Sequence, residues 1–284
     1  MPELPEVETM VRGIRAAVVG RQVQRVEFPR CERQPVAVTP SRPTFRRRLT
    51  DRTITAVQRL GKRVVLQLDD DWSVVIEPRM TGLVLIADPP TREHLRLRLH
   101  LEKASRGRRA LTDMVPLQFW DRRGLGTLTI VDPTGLATIA SRLGPDALHC
   151  DCHQLQHCLS RTAREIKVAL LDQSLLAGIG NLYASEILHV AGIHPQRTSD
   201  SLTAAEVSRV AAAIHDVLTE AIQYEGSTLS DGTYRNALNT AGSYQNHHRV
   251  YQRGDEICRS CGAARVERIV QAQRATFFCA RCQR

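Results

Sequence analysis

The spacing Cys258-x2-Cys261-x17-Cys279-x2-Cys282 narrows what this chain can fold into more than any other feature. Two tight pairs supply four thiolates, enough to close a tetrahedral site on one zinc ion, and such a four-sulfur site leaves no open position for catalysis. The metal is therefore read as structural, holding a β-hairpin whose tip contains Gln273-Arg274-Ala275-Thr276. Disulfides are not expected. The Met-Pro-Glu-Leu-Pro-Glu start has neither a basic nor an apolar leader region, and apolar runs such as 83–87 fall far short of the roughly 18 residues a membrane span needs. The expectation is a cytoplasmic protein with no membrane partner.

Charge points to the partner. Lys and Arg number 39 against 30 Asp and Glu, a formal +9, and lysine stands only at Lys62, Lys103 and Lys167. Guanidinium groups chelate phosphate bidentately, so an arginine excess favours nucleic acid, and Arg274 at a hairpin tip is placed to reach DNA. The 42% hydrophobic content excludes a largely disordered chain, and 284 residues allow one large or two ordinary domains.

Periodicity divides the chain. Pro5, the acidic Glu6 and Glu8, the 3.6-residue stripe Val7, Met10, Val11, Ile14 and Val18, and a stop at Gly20 predict an opening helix. Over 22–132 the period becomes two. Leu95, Leu97, Leu99 and Leu101 alternate with Arg96, Arg98 and His100, and residues 64–68 and 73–76 around Asp69-Asp70-Asp71 predict a hairpin. These short strands predict a β-sandwich or flattened barrel. A Gly- and Pro-punctuated linker over 133–148 precedes a helical region over 149–225, in which Thr162-x-x-Glu165 and Thr203-x-x-Glu206 both read as capping boxes. Residues 226–256 read as a loop and connection, and 257–284 as the zinc finger.

The N-terminus itself carries chemistry. Small Pro2 after Met1 favours removal of the initiator, leaving a free secondary amine. An α-amino group has a pKa of about 7.7–8.0, far below lysine, so much of it is neutral near pH 7.5 and able to attack a sugar C1′. Glu3 beside it is the general-acid candidate.

Residues 1–8 (Met-Pro-Glu-Leu-Pro-Glu-Val-Glu), Ala177-Gly-Ile-Gly-Asn-Leu-Tyr-Ala-Ser-Glu186, Gly192-Ile-His-Pro195 and Gln273-Arg-Ala-Thr-Phe-Phe-Cys279 resemble the bacterial formamidopyrimidine-DNA glycosylases, in family order along nearly the whole chain. The resemblance implies an α+β fold: an N-terminal catalytic domain over 2–132, with a helix and β-sandwich, then a helix–two-turn–helix module and a zinc-finger hairpin. It implies repair of oxidised purines in duplex DNA by a monomer associated with a bacterial nucleoid, with base excision followed by β,δ-elimination at the abasic site. By the same resemblance Pro2 forms the Schiff base, Glu3 acts at the ribose ring and Glu6 supports them. Lys62 and His94 contact the backbone near the lesion, while Asn181 and Arg274 pinch a phosphate. Met80 fills the void left by the flipped base and Arg123 bonds the orphaned cytosine. The 226–256 segment covers the flipped base, with Tyr244 and Gln245 as its contacts.

The chain departs from the family in places. Leu125 replaces a wedge phenylalanine, and Glu77-Pro78-Arg79 replaces His-Leu-Gly before Met80. Leu125 weakens the case for purine lesions that Leu4 and Val7-Glu8 support. An endonuclease VIII-like enzyme for oxidised pyrimidines and a catalytically silent damage binder are therefore the alternatives. His149-Cys150-Asp151-Cys152-His153 with His157 and Cys158 reads as a surface segment, with a second metal site left open, and Cys31 reads as inert.

Overall fold

Helix α1 (Leu4–Val18) begins where Glu3 and Glu6 cap each other's backbone, with Pro5 in the first turn. Val7, Met10, Val11, Ile14 and Val18 are fully buried, as their spacing predicts. The helix ends before Gly20, whose φ of 78° is in the left-handed region that glycine adopts at no steric cost. The structure is a computed structural model that describes residues 2–103 and 115–284.

Two sheets follow. One runs β1 (Arg21–Glu27), β7 (Leu95–Lys103), β8 (Val115–Asp121), β6 (Gly82–Leu85), all antiparallel neighbours. The other runs β2 (Ala37–Thr39), β9 (Thr127–Val131), β5 (Ser73–Glu77), β4 (Arg63–Leu68), β3 (Ile54–Leu60), with only the β2–β9 pair parallel among the described strands. The predicted hairpin is β4–β5, with Val64 opposite Ile76 and Gln67 opposite Ser73. Both sheets, α1 and α2 (Arg42–Leu49) share one apolar cluster that includes Met10, Phe45, Leu66, Leu99 and Phe119. The alternation in β7 has one exception: Arg96 is buried like the leucines beside it.

The chain forms two compact units, one of residues through Ala140 with Tyr224–Ser243, the other of Ser141–Gln223 with Tyr244–Arg284. This differs from the segmentation read in the sequence. Residues 133–140 form helix α3 (Pro133–Ala140) instead of linker, and the 226–256 segment is divided, its first part returning to the N-terminal unit. The second unit contains α4 (Cys152–Leu159), α5 (Ile166–Leu170), α6 (Asn181–Ala191), α7 (Ala204–Gln223) and the hairpin β10 (Glu267–Gln271)–β11 (Arg274–Phe278). Thr203 and Glu206 form their capping box at α7. Thr162 and Glu165 do not, because Glu165 accepts a hydrogen bond from Gln271 and bridges to Thr198, and α5 starts only at Ile166. No helix among the described residues is long and apolar enough to cross a membrane.

Candidate active site and nucleic-acid interface

Pro2 and Glu3 are buried at the head of α1. The Glu6 carboxylate, 2% exposed, organises this end: Oε2 accepts the Glu3 N–H at 2.9 Å and Oε1 accepts the Ser227 N–H at 2.9 Å. Residue 226 must be glycine for this approach, since its φ is 78° and a Cβ would meet Glu6 Oε1 at 2.8 Å. Tyr234 donates its hydroxyl to Glu225 O at 3.0 Å and Glu6 O at 3.4 Å. Burial, then the charge of Glu6, pushes the Tyr234 pKa well up, so it stays a donor. The returning segment 224–243 thus grips the residue that positions Glu3. Ser227 and Tyr234 carried no sequence signal for this role, because their partner lies more than 200 residues away.

Lys62 occupies the β3–β4 turn, after Gly61. Arg59 ties the turn to α1, donating to Gly61 O at 3.2 Å and to Glu8 at 2.9 Å. Burial pushes the Glu8 pKa up, but hydrogen bonds and charge from Arg12 and Arg59 outweigh it and hold the carboxyl below its ordinary value.

Met80, Arg123 and Leu125 stand on two loops joined by one buried carboxylate. Asp121, fully buried, accepts the Arg123 and Gly126 N–H groups at 3.2 and 2.8 Å and the Thr81 hydroxyl. Those bonds leave Met80 and Leu125 as exposed apolar tips, 38% and 37% accessible, with Arg123 exposed between them. The pairing of these two exposed tips through Asp121 was not visible in the sequence. His94 is only 6% exposed, packed edge-on against Trp120, with Nε2 2.8 Å from Glu93. Burial depresses its pKa despite that carboxylate, so its neutral form is favoured.

In the second unit Asn181 is the first residue of α6, with Gly180 as N-cap. Its side chain is held from two sides. Oδ1 accepts from Lys167 Nζ at 2.6 Å, and Nδ2 donates to Ala275 O at 2.9 Å, leaving one amide proton for a ligand. Lys167 is fully buried and also donates to Thr276 Oγ1 at 2.7 Å and Ala275 O at 3.3 Å. Such a lysine is tolerable only because its ammonium is so well hydrogen-bonded. It locks Asn181 to β11, where Arg274 is exposed next to the Ala272–Gln273 turn, both turn residues having positive φ. Glu186, also fully buried, accepts the backbone N–H groups of Arg249, Val250 and Tyr251 at 2.8–2.9 Å and fixes the strand of chain that enters the cysteine cluster.

The cysteines fit zinc. Sγ of Cys258 and Cys282, and of Cys261 and Cys279, are 3.8 Å apart, and all four lie within 4.8 Å of one another. A tetrahedron with Zn–S bonds of about 2.3 Å has edges of about 3.8 Å. No other group of three or more potential ligands converges among the described residues, so the His149–Cys158 segment does not assemble one. Tyr244 is a correction. It is fully buried between Tyr183 and His248 in the second unit, with no surface to offer a base. Gln245 beside it is partly buried.

A helix-opened β-sandwich with a buried proline at position 2, and a helical unit carrying a four-cysteine hairpin with an exposed arginine, place this chain in a two-unit, zinc-finger class of proteins. Residues 1–128 match the formamidopyrimidine-DNA glycosylase N-terminal domain, 143–233 the H2TH domain of the same enzymes, and 255–284 a zinc finger found in FPG and IleRS. Formamidopyrimidine-DNA glycosylase of Herpetosiphon aurantiacus is 39% identical over the full length of both chains, and that of Chloroflexus aggregans 38% over all of this chain and 98% of its own. The crystal structure of the MutM (Fpg) protein from Thermus thermophilus superposes with a TM-score of 0.84 at 36% identity, covering 99% of this chain and 98% of that one. Lactococcus lactis Fpg, in complex with DNA containing an abasic site, gives 0.85 at 29% identity over 99% of both chains. The chain belongs to the formamidopyrimidine-DNA glycosylase family, base-excision-repair enzymes with a zinc finger.

Proposed function

We propose that this chain excises oxidised purines such as 8-oxoguanine and formamidopyrimidines from duplex DNA and cleaves the strand at the abasic site, with Pro2 as nucleophile. The observation that carries this is the clamped N-terminus, where a buried Pro2–Glu3 pair is positioned through Glu6 by two backbone N–H groups. With Met1 removed, the secondary amine of Pro2 attacks C1′ while Glu3 gives a proton to the ring oxygen and the base departs. The resulting iminium stays cationic because the nitrogen is secondary. It accepts the electron pair released when the C2′ proton is abstracted, and the 3′-phosphate leaves. A second elimination expels the 5′-phosphate, leaving a one-nucleotide gap.

The remaining residues bind and orient. Lys62 and His94 contact the backbone flanking the lesion, and Asn181 with the first turn of α6 takes a phosphate together with Arg274. Met80 and Leu125 enter the stack that the flipped base vacates. Arg123 offers donors to the adjacent N3 and O2 acceptors of an orphaned cytosine, whereas adenine presents only N1 on that edge, with a C–H in place of the carbonyl. Zinc supplies no reaction step; when bound, it fixes the hairpin that carries Arg274. Gel analysis of a duplex bearing 8-oxoguanine opposite cytosine should show nicking with phosphate at both ends of the gap. Faster cleavage of an oxidised-pyrimidine duplex would move the assignment to the endonuclease VIII-like branch. Binding without cleavage of either, by protein shown to lack Met1, would leave a damage-binding protein.

A further inference from the structure

A cavity of about 360 Å³ in the first unit, away from α1, is lined by Phe28, Arg30, Cys31, Arg42 and Arg96 among others, with no carboxylate in its wall. Its arginines make it a site for an anion or an electronegative oxygen. The half-buried Cys31 thiol donates to Glu93 O at 3.1 Å and accepts from Arg96 Nη1 at 2.6 Å. Arg96 is 3% exposed and fixed by a 2.8 Å bond from Nε to Asp121 O, so its guanidinium cannot swing away from the sulfur. Its Nη2 is buried with no hydrogen-bond partner. A buried guanidinium donor left unsatisfied is costly, and points to an acceptor that the reduced thiol does not supply. An oxygen added to the sulfur would bring an acceptor to the same guanidinium, whose Nη1 already touches that sulfur.

We propose that Cys31 is a peroxide-reactive thiol whose sulfenic oxygen is received by the Arg96 guanidinium. The thiol sulfur attacks one oxygen of a small hydroperoxide, so that the S–O bond forms and the O–O bond breaks. The sulfur loses two electrons to the departing oxygen, which takes the thiol proton and leaves, as water when the oxidant is hydrogen peroxide. Cys31, an isolated cysteine in the sequence, thereby becomes the preferred oxidation site of the zinc-loaded protein.

The test treats native, zinc-loaded protein with substoichiometric hydrogen peroxide and a dione trap for sulfenic acid, followed by mass mapping of every cysteine. Cys152, also half-buried but with no guanidinium bond described, is the internal reference. Trapping at Cys31 is expected at least about tenfold above that at Cys152, with Arg96→Gln bringing the two within about twofold. Equal trapping at the two cysteines in the wild-type protein, or an undiminished preference in folded Arg96→Gln, overturns the proposal. If Arg96→Gln does not fold, the wild-type comparison decides alone.

Discussion

The two units each present a cation at a β-hairpin turn, Lys62 between β3 and β4 and Arg274 beside the β10–β11 turn, but they hold these turns by different means. The first hairpin is part of a sheet whose buried face includes Val57, Val64 and Leu66, and Arg59 pins its turn to α1 through Glu8. The second has only a small apolar cluster of Val250, Val266 and Phe277 around its cysteines. It depends on zinc and on buried polar anchors, Lys167 and Glu186. A large core can carry a reactive group without metal, whereas a hairpin of this size needs a cross-link. The chemistry is accordingly proposed on the first unit and the phosphate grip on the second.

Zinc removal is the strongest way to break this comparison. Chelation, or Cys261→Ser, should melt the β10–β11 hairpin and lower DNA affinity by about a hundredfold or more, because structural zinc sites contribute on the order of 10 kcal/mol. Hydrogen exchange should meanwhile leave the amides of β4 and β5 protected. Equal loss of protection in both units would show that they do not hold their hairpins separately.

Glu6→Gln is next in size. Two backbone donors face the two carboxylate oxygens, so the amide must turn an NH2 toward one of them. A lost bond to a charged acceptor costs about 1.5–3 kcal/mol, which predicts single-turnover excision slowed about ten- to a hundredfold with DNA affinity little changed. A loss of affinity at unchanged rate would place Glu6 in binding instead.

Acid should probe the second unit more gently. The Arg197 hydrogen bond, with the Thr203 N–H, holds the Glu206 pKa at about 2, against an ordinary value of 4.5. Because the folded value is depressed, the stabilisation is present above about pH 4.5 and is lost as pH falls toward 2. Glu206→Gln should flatten that part of the second unit's pH–stability curve, as read by thermal melting between pH 5 and 2.

The smallest effect expected is a gain. Arg79 stands where the family resemblance has glycine, and its φ is 55°, a conformation costly for a side chain. Arg79→Gly should stabilise the first unit by about 1 kcal/mol, since the Arg79–Glu77 pair that it removes has a solvent-exposed guanidinium and is worth little. A decrease in melting temperature would contradict this.

Features written locally were legible in the sequence: the α1 stripe, the β4–β5 hairpin, the cysteine pairs and the capping box of α7. Features that depend on distant partners were not. Thr162–Glu165 and Thr203–Glu206 look equivalent as sequence, yet Glu165 is drawn off by Gln271, more than 100 residues on. Asp121 carries no local mark of its role until its carboxylate is seen joining Thr81 to Arg123 and Gly126. Tyr244, a polar-loop aromatic in the sequence, is core because Tyr183 and His248 pack against it. Chain return explains the other difference, since nothing local marks where 224–243 leaves one unit for the other.

The central claim is that Pro2 becomes covalently joined to the damaged nucleotide. Borohydride added during reaction with a duplex carrying 8-oxoguanine opposite cytosine tests it directly, with Pro2→Gly as control. The account predicts a trapped protein–DNA adduct that maps to Pro2 and is strongly reduced in the variant. An adduct mapping to a lysine, or none from protein confirmed to begin at Pro2, would contradict it.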